Sequence, residues 1–141
     1  PKMDDKEKYL IKLRFGLALT RLLDSRKAIG KRNKLEGIKD RNLIDSYLKL
    51  ERASGLPKAT LIGIFQGRIN AASSSLSAIL EALETSFTSF GEIYDGITEE
   101  ELLEFGNILA QKRQAQLQIA RKTAQRKMQR KESIVKRKKN K

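Results

Sequence analysis

Apolar residues recur at helical spacing along most of this chain, and few segments alternate with a period of two. From Tyr9 onward, Leu10, Leu13, Leu17, Leu19, Leu22 and Leu23, with Ile11, Phe15 and Ala18 between them, form a broad stripe. That spacing predicts a helix over about Asp5–Arg26. The charged start, Pro1–Lys8, is expected to fray. Gly16 would cost about 1 kcal/mol against alanine in an open helix, so it points to a close helix contact. Over Lys27–Arg41 the stripe stops. Gly30, Gly37, Asn33 and an excess of basic residues there predict a long basic loop, read either as a solvated connector or as a second polyanion contact.

The helical pattern resumes at Asn42. Asp45 or Ser46 suits the N-cap of a helix carrying Tyr47, Leu48 and Leu50, which stops at Ser54-Gly55. Pro57 suits the first turn of a second helix, reaching about Gln66, that offers Leu61, Ile64 and Phe65 to a core before Gly67 stops it. Two short helices joined by a glycine-bearing turn make a helix-turn-helix, a unit that can set its second helix in the major groove of DNA. Ser73 or Ser74 then starts a helix with Leu76, Ile79, Leu80 and Leu83 on one face. Phe87, Phe90, Ile93 and Tyr94 add bulk to close the bottom of a small core. Thr98-Glu99-Glu100-Glu101 reads as a capping box opening a last helix, whose early residues Leu102, Leu103, Phe105, Ile108 and Leu109 are apolar enough to dock. Beyond Ala110 helix formers continue without glycine or proline. If helical throughout, about 35 residues would extend roughly 50 Å. No sustained heptad runs through them, which argues against a long coiled coil. The expected architecture is all-α: a compact helix-turn-helix domain of four or five helices over 1–97, and a C-terminal helix with a basic tail over 98–141.

Charge sharpens this division. The net charge is +13, with 30 Lys and Arg against 17 Asp and Glu. Up to Gly106 there are 17 basic and 16 acidic residues, a balance of +1; from Asn107 there are 13 basic residues and only Glu132, a balance of +12. A tail this basic reads as a polyanion-binding arm, with Lys112, Arg113, Arg121, Lys122, Arg126, Lys127, Arg130 and Lys131 as its candidate contacts. The chain has no cysteine and no histidine, which removes disulfides, thiol and imidazole catalysis and the usual zinc sites. No glycine-rich phosphate loop or metal-ligand spacing is present, so neither an enzyme nor a cofactor is expected. No apolar run approaches a membrane span, and a cytoplasmic protein is the expectation.

A resemblance covers about Phe15–Tyr94, interrupted at Lys27–Arg41. Leu50, Gly55, Leu56, Thr60, Leu61, Ile64, Gln66-Gly67-Arg68, Asn70, Leu76, Ile79 and Leu83 stand in one ungapped register. Together with Phe15-Gly16, Leu19 and Leu22-Leu23, this pattern resembles the phage-repressor-like (Cro/repressor, XRE-type) helix-turn-helix family. The resemblance implies a small helical bundle that binds double-stranded DNA as a transcriptional regulator, with a recognition helix over about 57–66. Carried over by position, it puts Lys58, Ala59, Ile62 and Gly63 on the base-facing side. It sets Tyr47, Arg68 and Asn70 against phosphates. Two departures matter. Ala59, Ile62 and Gly63 form no bidentate hydrogen bond to a base, although alanine or isoleucine can meet a thymine methyl. Glu51 occupies a position where the family usually has a small buried alanine. The competing expectation is a protein-interaction module of the same fold, using Ala59 and Ile62 on a partner chain and its tail on RNA or an acidic partner. A homodimer fits either expectation.

Overall fold

The computed structural model describes residues 2–140, which form six α-helices with no strand among them. These are α1 (Asp5–Glu36), α2 (Tyr47–Ser54), α3 (Lys58–Phe65), α4 (Ser73–Ala82), α5 (Phe87–Gly96) and α6 (Glu99–Lys139). Two units divide the chain, one up to Leu103 and one from Glu104 onward. The first unit therefore takes in the opening turn of α6 as well as the five shorter elements. The architecture is all-α, as the apolar periodicity predicts.

α1 begins without fraying. The Asp4 carboxylate accepts a 2.7 Å hydrogen bond from the Glu7 amide, and the Glu7 carboxylate accepts from the Asp4 amide, so a complete capping box replaces the expected loose end. At its other end α1 runs ten residues past Arg26, and most of the predicted Lys27–Arg41 loop is helix instead. Gly30 is no breaker here. It lies against Asp45 and Leu43, where a Cβ would collide with the Asp45 carboxylate. The true stop is Gly37, left-handed at φ 70°, with its amide and that of Ile38 both donating to the Asn33 carbonyl.

The core is built on α1. Leu13, Leu17, Ala18, Leu19, Leu22 and Leu23 are all buried, and α1 packs on α3 and α5 while α2 packs on α3 and α4. Leu50, Leu61, Ile64, Phe65, Ile79, Leu80 and Leu83 complete the interior, and Leu76 is half-buried at its edge. Gly16 makes the close contact expected of it: a Cβ there would stand 2.5 Å from the Phe65 carbonyl oxygen of α3. At the lower end Phe15 meets Phe90 and Tyr94, with ring centroids 5.8 and 4.8 Å apart. Phe87 takes no part in that cluster and is exposed.

The caps follow the predicted signals with local changes. Ser46 accepts from the Lys49 amide at 3.2 Å to open α2, and Gly55 closes it at φ 75°. Ser73 is the first residue of α4, but neither it nor Ser74 caps the helix; Ala72 holds the cap position with no side-chain bond. At α6 the Thr98 hydroxyl accepts from the Glu101 amide at 3.2 Å, while the Glu101 carboxylate takes the Thr98 hydroxyl and the Arg21 guanidinium rather than the Thr98 amide. α6 is thereby fastened to α1 within the first unit. The second unit is the remainder of α6, and residues 110–140 are exposed on every side.

Candidate nucleic-acid interface

The candidate interface comprises α2, the Gly55–Pro57 link and α3. Pro57 occupies the cap position of α3 and supplies no side-chain bond. The cap comes from Glu51 on the preceding helix, whose carboxylate accepts from the Lys58 amide. Glu51, an anomaly against the family pattern, thus satisfies an orphan donor and places negative charge at the positive end of α3. It also occupies the place where a phosphate would otherwise meet the helix end.

On α3 itself Lys58 and Ala59 are exposed and Ile62 is half-buried. Gly63 departs from its predicted base-facing role. After the αL residue Gly67 (φ 71°), the chain folds back so that the amides of Arg68 and Ile69 both donate to the Gly63 carbonyl, at 2.9 and 3.1 Å. The Ile69 side chain then covers Gly63, which is buried with no room for a Cβ. Gly63 is a packing position, and Lys58, Ala59 and Ile62 are what α3 presents.

Arg68 and Asn70 are exposed beyond the stop, and Asn70 borders a shallow hollow with Lys8, Ile11 and Lys12 of α1. Tyr47 is the first residue of α2. Its ring is half-buried, edge-on to Phe65 at 5.3 Å and 78°, with the Lys27 ammonium 5.8 Å above it. Burial, and then the Asp24 charge, push the Tyr47 phenol above its ordinary value, so it remains a neutral hydrogen-bonding group at physiological pH. The compact unit therefore gathers Tyr47, Lys58, Ala59, Ile62, Arg68 and Asn70 around α2 and α3. The tail residues Lys112, Arg113, Arg121, Lys122, Arg126, Lys127, Arg130 and Lys131 form a separate set. All of them are exposed on α6, and their positions are distributed around the whole helix circumference rather than along one face.

Among the described residues no helix is long and apolar enough to cross a membrane, and no group of three or more His, Cys, Asp and Glu side chains could hold a metal ion. No protein-family model matches the chain, and neither the curated proteins nor the solved structures give a significant match.

Proposed function

We propose that this chain is a DNA-binding transcriptional regulator of the repressor-like helix-turn-helix kind, which docks α3 in the major groove while α6 adds sequence-independent phosphate contacts. The observation that carries the reading is the short helix pair with a left-handed glycine turn, whose second helix presents exposed Lys58 and Ala59 and half-buried Ile62, with Tyr47 opening the first helix and Arg68 and Asn70 exposed beyond the stop. Apolar contact with thymine methyl groups, from Ala59 and Ile62, would supply what base discrimination there is. Positioning and most of the affinity would come from cations on phosphates. An excess of twelve basic residues from Asn107 onward supports that division of labour.

A gel-shift salt series tests it. Arg68→Ala is expected to weaken binding evenly across sequences and to lower the salt slope by about 1. Lys58→Ala is expected to cost about 1 kcal/mol or more. Replacing the eight tail cations from Lys112 to Lys131 with glutamine in the full chain should flatten the salt dependence by several units. If all three variants bind duplex DNA like the original, the reading is wrong.

The poverty of hydrogen-bonding groups on the exposed side of α3 favours a second reading, in which Ala59 and Ile62 meet a protein partner and the tail binds RNA or an acidic chain. Light scattering after size exclusion separates the two. A stable oligomer without affinity for duplex DNA at low salt supports the second; a monomer or dimer that shifts on adding duplex supports the first.

A further inference from the structure

α1 outlasts the core that it supports. Its buried stripe ends at Leu23, yet the helix continues to Glu36, and Leu35 near its end is 90% exposed. Apart from Leu43, which is buried beside Gly30, burial of apolar surface accounts for little of the last three turns. Their charge is distinctive: residues 27–41 hold six Lys and Arg and two Asp and Glu, a balance of +4 in a unit that is otherwise close to neutral. Attraction of cations to the negative end of a helix explains Lys34 in the last turn but not Lys27 or Lys31, since that effect fades within one turn.

The placement of these lysines is informative. Gly16 and Thr20 mark the face of α1 that meets α3: the former touches the Phe65 carbonyl, and the hydroxyl of the latter donates to it at 3.4 Å. Steps of three, four and seven residues keep to one face of a helix, so Lys27, Lys31 and Lys34 continue the Gly16–Thr20 line past the end of that contact. Lys27 reaches over the ring of Tyr47, and Lys34 borders a cleft with Lys39, Asp45 and Lys49 at the foot of α2. Nearby acids are partly neutralised: Asp45 is bound to Lys49 at 2.8 Å and lies against Gly30, while Asp24 faces Tyr47. Glu36 remains exposed at the far end, and Asp40, also exposed, borders the same cleft as Lys34. Lys27, Lys31 and Lys34 are themselves exposed.

We propose that Lys27, Lys31 and Lys34 form a phosphate-binding edge that holds the DNA backbone beside the α2 N-terminus and extends the footprint of the helix-turn-helix past Tyr47. Over the seven residues from Lys27 to Lys34 the helix rises roughly 10 Å. That is enough to face about three successive phosphates of one strand, at about 3.4 Å of duplex axis each. Gly30 brings this edge close to the segment leading into α2, because its missing side chain leaves room for the Asp45 and Leu43 side chains. The inference rests on the DNA-binding reading and adds α1 to the elements, α2, α3 and α6, that would touch the duplex.

The test is fluorescence anisotropy of the full chain on a labelled duplex of mixed sequence, from 50 to 200 mM salt. Lys27→Gln/Lys31→Gln/Lys34→Gln is expected to weaken binding about ten-fold or more and to lower the salt slope by about 2 to 3, with an unchanged melting curve. Lys31→Gln and Arg32→Gln remove equal charge from neighbouring residues on different sides of the helix, so only the former should matter. An unaltered affinity and slope for the triple variant overturns the edge while leaving the DNA-binding reading standing. Equal losses from Lys31→Gln and Arg32→Gln also overturn it, since net charge rather than placement would then be responsible. Failure of the unaltered protein to bind duplex at low salt removes both.

Discussion

Two glycines that look alike in the sequence have opposite structural meanings. At Gly16 an added methyl would press on the α3 backbone at Phe65, and no flexible side-chain end is there to yield. Gly16→Ala is expected to destabilise the compact unit by about 1–3 kcal/mol. Gly91, inside α5, has nothing within 4 Å of an added Cβ, so Gly91→Ala should instead stabilise by up to about 1 kcal/mol through helix propensity. Urea unfolding of both variants checks the contrast in sign. Tyr47 supplies a pH signature. Its phenol titrates higher in the folded chain than in the unfolded one, so its contribution is complete below the ordinary tyrosine value. Above that value the unfolded state loses its proton first, and stability falls as pH rises toward the folded value. Alkaline unfolding curves should show this loss in the original protein and less of it in Tyr47→Phe. Glu51 caps α3 and places a negative charge at the start of that helix. Glu51→Gln should cost up to about 1 kcal/mol of stability and, on the DNA-binding reading, tighten duplex binding in the same anisotropy assay.

Helices whose boundaries are written in local chemistry were legible from the sequence. Ser46 and Gly55 bracket α2, Gly67 ends the α3 segment, and Thr98 with Glu101 opens α6, because caps and left-handed glycines act within one turn of where they stand. The length of α1 was hidden for the converse reason. Gly30 resembles a breaker until Asp45, fifteen residues further along, is seen to rest on it. The helix formers Lys31, Arg32, Lys34, Leu35 and Glu36, interrupted only by Asn33 and free of proline, were the signal that favoured continuation. The interface was legible to the same degree. Spacing around α3 locates Lys58, Ala59 and Ile62, but it is blind to a chain that turns back at Gly67 and lays Ile69 over Gly63. Glu51 was conspicuous as a departure from a pattern, and its partner, seven residues away on another helix, becomes visible only once the turn is closed.

For the molecule as a whole, stability is expected to be distributed as unevenly as charge. The compact unit has a continuous apolar core. Residues 110–139 of α6 are held by their own backbone ladder and a Thr123 hydroxyl bond to the Ile119 carbonyl, and they carry like charges four residues apart in the row Lys122, Arg126, Arg130 and again at Lys127 and Lys131. Each such pair disfavours the helix by about 0.2–0.5 kcal/mol. Hydrogen exchange should therefore be fast across 110–139 and slow at Leu19, Leu23 and Ile64. A bound polyanion would relieve the repulsion, and on the DNA-binding reading, duplex should slow exchange in α6 more than in the core.

The attachment of Glu101 to Thr98 and Arg21 bears on how this charged helix exists at all. Starting a helix is the costly step, because several residues must be ordered before the first hydrogen bond repays them, whereas each later residue adds little. In this chain the starting turn is already built into a folded domain, so α6 needs only to be propagated. A peptide of residues 104–141 would lack that seed and should be largely unstructured at low salt by circular dichroism, while the same residues in the full chain remain helical. The domain thus serves as the template on which a self-repelling helix grows.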